Sequence, residues 1–318
     1  MLSCAAAVEL EAAVANGIAV QRASLNEIAA DLSTAPGPDL HTVRDKLRAR
    51  ITYVHFSTFG MTVVPETALR YIPVSGDPEY LPPVFDRADR LEFQQQDYAA
   101  AMRLLTPLAA SADANIQAAA LMRLGRMERR NGHISEALGS YQKLSGLSGQ
   151  KIGAVPADWL GLYARCTIYA AENKTPELGV TLDQLVHVLT TGGYRVSETT
   201  YHFYVDAAVR WAELVGRAGA AQSLSQPHAA SELAAEFYDL WADWRQGAAA
   251  SSGMQTAGTD HGFLFGLWTT FESDLLVGIV PFDVLYSTSM AAVTDDLEKP
   301  GIGWRISDET GRIFSPQT

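Results

Sequence analysis

Cysteine is almost missing. Cys4 and Cys166 are the two in 318 residues, too few for a disulfide framework, and no Cys/His spacing resembles a zinc site. Basic charge is also scarce: Lys and Arg number 24 against 36 Asp and Glu, a formal net charge of −12. Duplexes and anionic membrane surfaces are bound by clustered Lys and Arg, so nucleic acid is not an expected partner. No apolar run approaches the roughly 20 residues that a bilayer-spanning helix needs; the longest near the C-terminal end, 275–282, is strand-length. Residues 1–4 have neither the basic nor the apolar region of a signal peptide, and Leu2-Ser3-Cys4 without an apolar stretch is not read as a lipobox. Membrane attachment is therefore expected only through spans outside these residues, and compartment stays open. Gly-x-x-x-x-Gly-Lys, a Gly-x-Gly-x-x-Gly after a strand, and Gly-x-Ser-x-Gly are all missing. No catalytic residue, cofactor or metal is expected.

What is present is a foldable chain, with 47% hydrophobic and 19% charged residues, long enough to bury a core unaided. Residues 8–33 carry apolar side chains at helical spacing among many alanines, and Ala35-Pro36-Gly37-Pro38 breaks the pattern. A second helical stretch is expected over 40–53. Five prolines between 65 and 83 predict extended chain and turns, with short strands near 61–64 and 70–74. From Phe85 to about Trp244 the period is helical. Residues 247–260, rich in Ala, Ser, Gly and Thr, read as a linker. Beyond it the period moves towards 2 at Phe263, Phe265 and Leu267. A helix is expected over 281–297, then a hairpin over 304–314 with Gly311 closing its turn. The expected parts are 1–83 (helices and a Pro-rich extended segment), 84–246 (helical) and 259–318 (small α/β).

The helical middle repeats itself. Phe85, Ala88, Asp97, Tyr98, Ala101 and Leu105 superpose on Leu121, Leu124, His133, Ile134, Ala137 and Tyr141 at an offset of 36 residues. The second copy resembles the tetratricopeptide pattern. Leu121, Leu124 and Gly125 hold its large, large and small positions, Asn131-Gly132 the turn, and Ala137 and Tyr141 the small and aromatic positions of the second helix. Gly125 and Ala137 are expected at the closest helix approach. The first copy departs with Asp89 at the small position, and a third, degenerate copy spans 159–188 with Asn173-Lys174 at its turn. Such units bury their apolar faces by stacking, and hairpins at 200–215 and 229–244 are expected to continue the stack. An irregular bundle is the alternative.

Several groups are candidates for chemistry. Glu198, His202 and Asp206 at four-residue intervals would share a helix face; a metal site is conceivable, a solvated face the ordinary reading. His133 and His261 read as surface residues. Phe237, Tyr238, Trp241 and Trp244 read as core packing, with a partner surface as the alternative. In the tetratricopeptide register Arg126 and Arg129 point into the groove beside Met122 and Phe93. Residues 84–151 hold nine Lys or Arg against seven Asp or Glu, while 228–318 hold four against thirteen. A locally basic groove would clamp a carboxylate, a small molecule's or an acidic peptide's, or would pair with the protein's own acids. A second candidate pocket is a sheet formed by 61–74 with 262–280 and 302–315, burying Phe265, Trp268 and Trp304 on one face with Arg305 as polar handle.

The stretches 91–101 (Leu-Glu-Phe-Gln-Gln-Gln-Asp-Tyr-Ala-Ala-Ala) and 118–126 (Ala-Ala-Ala-Leu-Met-Arg-Leu-Gly-Arg) resemble the tetratricopeptide-like segment in the extracytoplasmic sensing region of certain bacterial membrane histidine kinases. The order of parts is similar: a long helix at 8–33, a Pro-rich stretch at 60–83, helical repeats, and a small PAS- or Cache-like end whose last hairpin carries Asp308-x-x-Gly311. The resemblance implies a mainly α fold, a tetratricopeptide-like hairpin stack with a small α/β C-terminal piece. It implies a non-catalytic, periplasmic sensory input module that binds a ligand or partner, with spans and kinase outside residues 1–318. A free-standing, cytoplasmic tetratricopeptide scaffold for a peptide is the other expectation, and a homodimer is compatible with either.

Overall fold

Residues 70–226 form one unit, inserted into a second made of residues 1–69 and 227–318. The structure, a computed structural model, describes residues 4–34, 40–58, 60–74, 83–226, 228–247, 250–259, 262–285, 306–307 and 313–314. The first segment supplies α1 (Cys4–Thr34), β1 (Thr52–Ser57) and β2 (Gly60–Val64). The inserted unit starts with β3 (Tyr71–Pro73), α2 (Asp86–Arg90, continued by a π-turn to Gln95), α3 (Tyr98–Leu108), α4 (Ala114–Arg130) and α5 (Ile134–Ser145). It goes on with β4 (Lys151–Ile152), β5 (Val155–Pro156), α6 (Ala157–Ala171), α7 (Thr175–Thr191), β6 (Tyr194–Val196), α8 (Glu198–Leu214) and α9 (Ala218–Ser225). The last segment supplies α10 (Ala229–Arg245), β7 (Ser252–Thr259), β8 (Gly262–Phe271), β9 (Asp274–Pro281), and the short pair β10 (Ile306–Ser307) and β11 (Ile313–Phe314). The fold is mainly helical with a small antiparallel sheet.

The sheet runs β2-β1-β9-β8-β7, every neighbouring pair antiparallel. Its middle strand is β9, and helices cover both faces, so Leu275, Leu276, Val277, Ile279 and Val280 are all buried. On one face Leu25, Ile28 and Leu32 of α1 meet Tyr53, Phe265, Leu267, Leu276 and Val280. Those α1 residues recur at three and four, one stripe of the helix. On the other face Phe237 of α10 lies 5.5 Å from Trp268, and Trp241 lies 6.0 Å from Phe56, ring centre to ring centre. Gly266 is required there, since a Cβ would sit 2.3 Å from the Phe237 ring.

Several expectations are corrected here. Of the helical stretch expected over 40–53, a 3₁₀ turn, Leu40–Lys46, is helical, and Thr52 and Tyr53 instead begin β1, where Thr52, Tyr53, Val54 and Phe56 are β-formers. The linker at 247–260 contains the edge strand β7, held by its ladder to β8 rather than by its own composition. Gly253 leaves room for the Trp268 ring opposite. Helix α10 packs on the sheet instead of extending the helical series. Strand β3 pairs in parallel with β6 and is not part of the large sheet. Of the helix expected at 281–297, residues 282–285 are helical and the rest lie outside the described residues. The terminal hairpin pairs Ile306 with Phe314 and Ser307 with Ile313 as expected.

In the inserted unit consecutive helices pack on one another from α3 to α9. Their turns repeat. Gln96, Gly132, Asn173 and Gly216 all have left-handed φ, 55°, 77°, 54° and 71°, at spacings of 36, 41 and 43 residues. The next amide donates back five residues in three of the four, His133 to Glu128, Lys174 to Tyr169 and Arg217 to Ala212, which ends each helix and satisfies its carbonyls. Five residues past each turn stand Ala101, Ala137, Leu178 and Ala221, all buried; eleven before it stand Phe85, Leu121, Leu162 and Val205, also buried. The 36-residue register therefore holds for the first step only, because the β4–β5 loop and longer helices lengthen the later ones. Cys166, 41 residues after Gly125, takes the small position of α6, and burial pushes its thiol up to about 12.

Candidate functional site

The expected arginine groove lies along α2, its π-turn and α4. Arg123 is buried, donates from Nε and Nη2 to Asp89 at 2.9 and 3.3 Å, and sits 4.3 Å over the Phe85 ring. One turn on, Arg126 donates from Nε and Nη2 to Glu92 at 2.8 and 2.6 Å, and Arg130 adds a contact at 3.3 Å. The Glu92 side chain is fully buried beneath the two guanidinium groups. Burial alone would lower the Arg126 pKa, but the hydrogen bond and charge of Glu92 outweigh it, and the pKa is raised. Asp89, a misfit at a small position in the sequence pattern, is thus half of an ion pair.

A cavity of about 310 Å³ opens beside these pairs, lined by Asp89, Phe93, Met122, Arg123, Arg126, Ile152 and Leu160. Phe93 is 59% exposed, with Arg126 5.3 Å from its ring centre. The structure therefore brings Phe93, Met122 and Arg126 together, as expected, but spends the charge of Arg126 on Glu92. Arg129 is exposed, outside the lining, and has no carboxylate within ion-pair distance among the described residues.

The sheet pocket is not formed as expected. Phe265 and Trp268 are an odd number of residues apart on β8, so they point to opposite faces, towards α1 and α10 respectively. Trp304 and Arg305 lie outside the described residues. The Phe237–Trp241 group is core packing. Glu198 and His202 are exposed, 3.7 Å apart on a solvated face, and the described residues contain no cluster suited to a metal ion. His133 is exposed; His261 lies outside the described residues.

Two arrangements escaped the sequence reading. His55 of β1 and Asp274 of β9 are buried in the sheet, Nε2 to Oδ2 at 2.9 Å, with Ser273 donating to the other carboxylate oxygen at 3.1 Å and Phe271 stacked on the imidazole. This link fastens strands that are distant in sequence. The second is a cavity of about 680 Å³ among α5, α6 and α7, whose lining includes Gln142, Asp158, Arg165, Gln184, His187 and Tyr194. Asp158 is 3% exposed and accepts from the Trp159 amide at 2.9 Å and the Tyr194 hydroxyl at 2.6 Å. Burial raises its pKa against the lowering effect of those hydrogen bonds; burial and the neighbouring Asp158 raise that of Tyr194. Arg165 donates from Nη1 to Gln184 at 3.5 Å, and its buried Nε has no acceptor. The seven-residue spacing of Asp158 and Arg165 on one helix face was the available signal, but nothing in the sequence shows that neither pairs locally.

Comparison with models of known families, with curated proteins and with solved structures finds no match to this chain. No helix among the described residues is long and apolar enough to cross a membrane.

Proposed function

We propose that residues 1–318 are the non-catalytic sensory input module of a bacterial transmembrane histidine kinase of a two-component system. In this reading the inserted unit is a tetratricopeptide-like stack that binds a small molecule, and the sheet unit takes the place of a PAS- or Cache-like relay. The module is periplasmic, and the membrane spans and kinase lie outside it. One observation carries the reading: strands 52–64 and 252–281, from either side of the insertion, complete a single sheet. A ligand that favours one arrangement of the inserted unit can therefore bias the chain on both sides of it at once, to the extent of its differential affinity. The recurrent left-handed turns and the buried residues around them support the tetratricopeptide-like stack.

The test is to place residues 1–318 between the spans of a receptor histidine kinase deprived of its own input region. Autophosphorylation that changes with occupancy of the 680 Å³ cavity is expected; a kinase indifferent to a bound solute removes the reading. A second reading, a cytoplasmic scaffold for a peptide, is favoured by exposed Phe93 beside Met122, Ile152 and Leu160. Because Arg123, Arg126 and Arg130 are paired within the chain, an acidic peptide seated on Phe93 would have to reach Arg129, outside that lining, for a cation unpaired among the described residues. Pull-down of acidic peptides lost on Phe93→Ala would favour the scaffold.

A further inference from the structure

We infer that the cavity among α5, α6 and α7 binds a small zwitterion, holding its ammonium group on Asp158 and its carboxylate on Arg165. The inference deepens the ligand-binding reading above and rests on it. Asp158 is buried, and its two hydrogen bonds come from an amide and a hydroxyl. No cation lies within ion-pair distance of it among the described residues, whereas Asp89 and Glu92 in the same unit are each covered by a guanidinium. A buried carboxylate is costly unless a positive charge accompanies it. The lining of an open cavity is where a ligand can bring one.

Arg165 has the opposite need. Its Nε–H is shielded from solvent without an acceptor, and its one hydrogen bond, to Gln184, is at the limit of length. A carboxylate is the natural acceptor for an unoccupied guanidinium edge. Asp158 and Arg165 are two helical turns apart on α6, about 10.5 Å between backbones. A long side chain on a helix leans towards its N-terminal end, which carries the guanidinium towards Asp158, yet the two make no ion pair. Opposite charges thus line one cavity with Leu162, an apolar residue, placed between them in sequence. An ω-amino acid with a few methylene groups satisfies all three features. Gln142 and His187 on the walls add hydrogen-bonding capacity.

Titration calorimetry on the whole chain with 4-aminobutyrate, butylamine and butyrate tests the assignment. 4-Aminobutyrate is expected to bind about tenfold or more tightly than either half-ligand, since each carries one of the two charged contacts. Asp158→Asn and Arg165→Gln should each weaken it by about tenfold or more with unchanged circular dichroism. If Asp158→Asn fails to fold, Arg165→Gln, at a partly exposed position, decides alone. The assignment is overturned if none of the three solutes binds at millimolar concentration, if a half-ligand binds as well as the zwitterion, or if folded variants bind like the parent. Binding of 4-aminobutyrate that leaves the grafted kinase unchanged would remove the sensory reading and leave this assignment standing. A kinase that responds to another solute while the module ignores 4-aminobutyrate would do the reverse.

Discussion

Helices α4 and α6 both carry arginines on faces that line cavities, yet they use them in opposite ways. On α4 Arg123 and Arg126 are closed by Asp89 and Glu92, and Arg130 adds to Glu92. On α6 Arg165 meets one long hydrogen bond, and Asp158 two turns away meets no cation among the described residues. Apart from the exposed Arg129, the cluster conspicuous in the sequence is therefore the satisfied one. A local excess of base is a poor sign of binding capacity when buried carboxylates stand across from it. The cavity-lining charges left without counter-ions among the described residues, Asp158 and Arg165, are isolated in sequence and conspicuous only in three dimensions.

The largest expected effect breaks the satisfied side. Glu92→Ala removes a fully buried carboxylate from under two guanidinium groups and should cost about 3–5 kcal/mol in urea unfolding. A loss below about 1 kcal/mol would mean that water at the partly exposed Arg126 and Arg130 replaces the carboxylate at little cost, and the contrast between the helices would fail. Replacing Asp89 should cost a comparable amount: its carboxylate is partly exposed, but its loss leaves the buried Arg123 guanidinium without a counter-charge.

Next come two glycines at close helix approaches, Gly161 on the helix between the cavities and Gly125 on α4. Leu160 lines the smaller cavity and Leu162 the larger, and Gly161 between them touches α5. A Cβ at Gly161 would stand 2.6 Å from the Ser145 nitrogen and the Tyr141 oxygen, both backbone and unable to turn away. At Gly125 it would stand 2.8 Å from the Tyr141 ring, a side chain. Both Gly161→Ala and Gly125→Leu overpack the core, at about 1–3 kcal/mol each or more. Gly161→Ala alone is expected to disturb both cavities, read as weakened 4-aminobutyrate binding together with a lower melting temperature. An unchanged melting temperature for Gly125→Leu would undo the repeat register.

The same two glycines show what could be read in advance. Gly125, Ala137, Tyr141 and the turns at Gly132 and Asn173 were legible because a repeat unit states its packing in local spacing. The apolar run of β9 was legible because a strand covered on both faces needs no alternation. Gly161 was not, since its partner is a backbone segment of another helix and leaves no residue-type signal. Strand β7 was hidden because an edge strand can take its conformation from its neighbour's ladder. The place of α10 was hidden because an amphipathic helix fits a sheet or another helix equally well. Asp89 looked like a defect in the pattern until its counter-ion, 34 residues on, was in view.

The smallest effect sharpens the open side of the comparison. Burial holds the Asp158 carboxyl above its ordinary value of 3.8, with the Tyr194 and Trp159 hydrogen bonds working against it. A group that binds its proton more tightly in the folded chain contributes stability in full below the unfolded value and loses it as pH rises through the folded one. At neutral pH the empty site therefore carries a destabilising charge. Asn removes that charge, keeps an acceptor for the Trp159 amide and turns an NH2 donor to the Tyr194 oxygen, which can accept in its place. Asp158→Asn should melt close to the parent below pH 3.8, gain on it as pH rises through the raised folded value, and hold that gain at higher pH. Saturating 4-aminobutyrate should shrink that gain, since an ammonium on Asp158 stabilises the parent and finds no charge in the variant. A difference that is flat with pH would mean that solvent already reaches the carboxylate. A gain untouched by 4-aminobutyrate would mean that the ligand's ammonium does not reach Asp158.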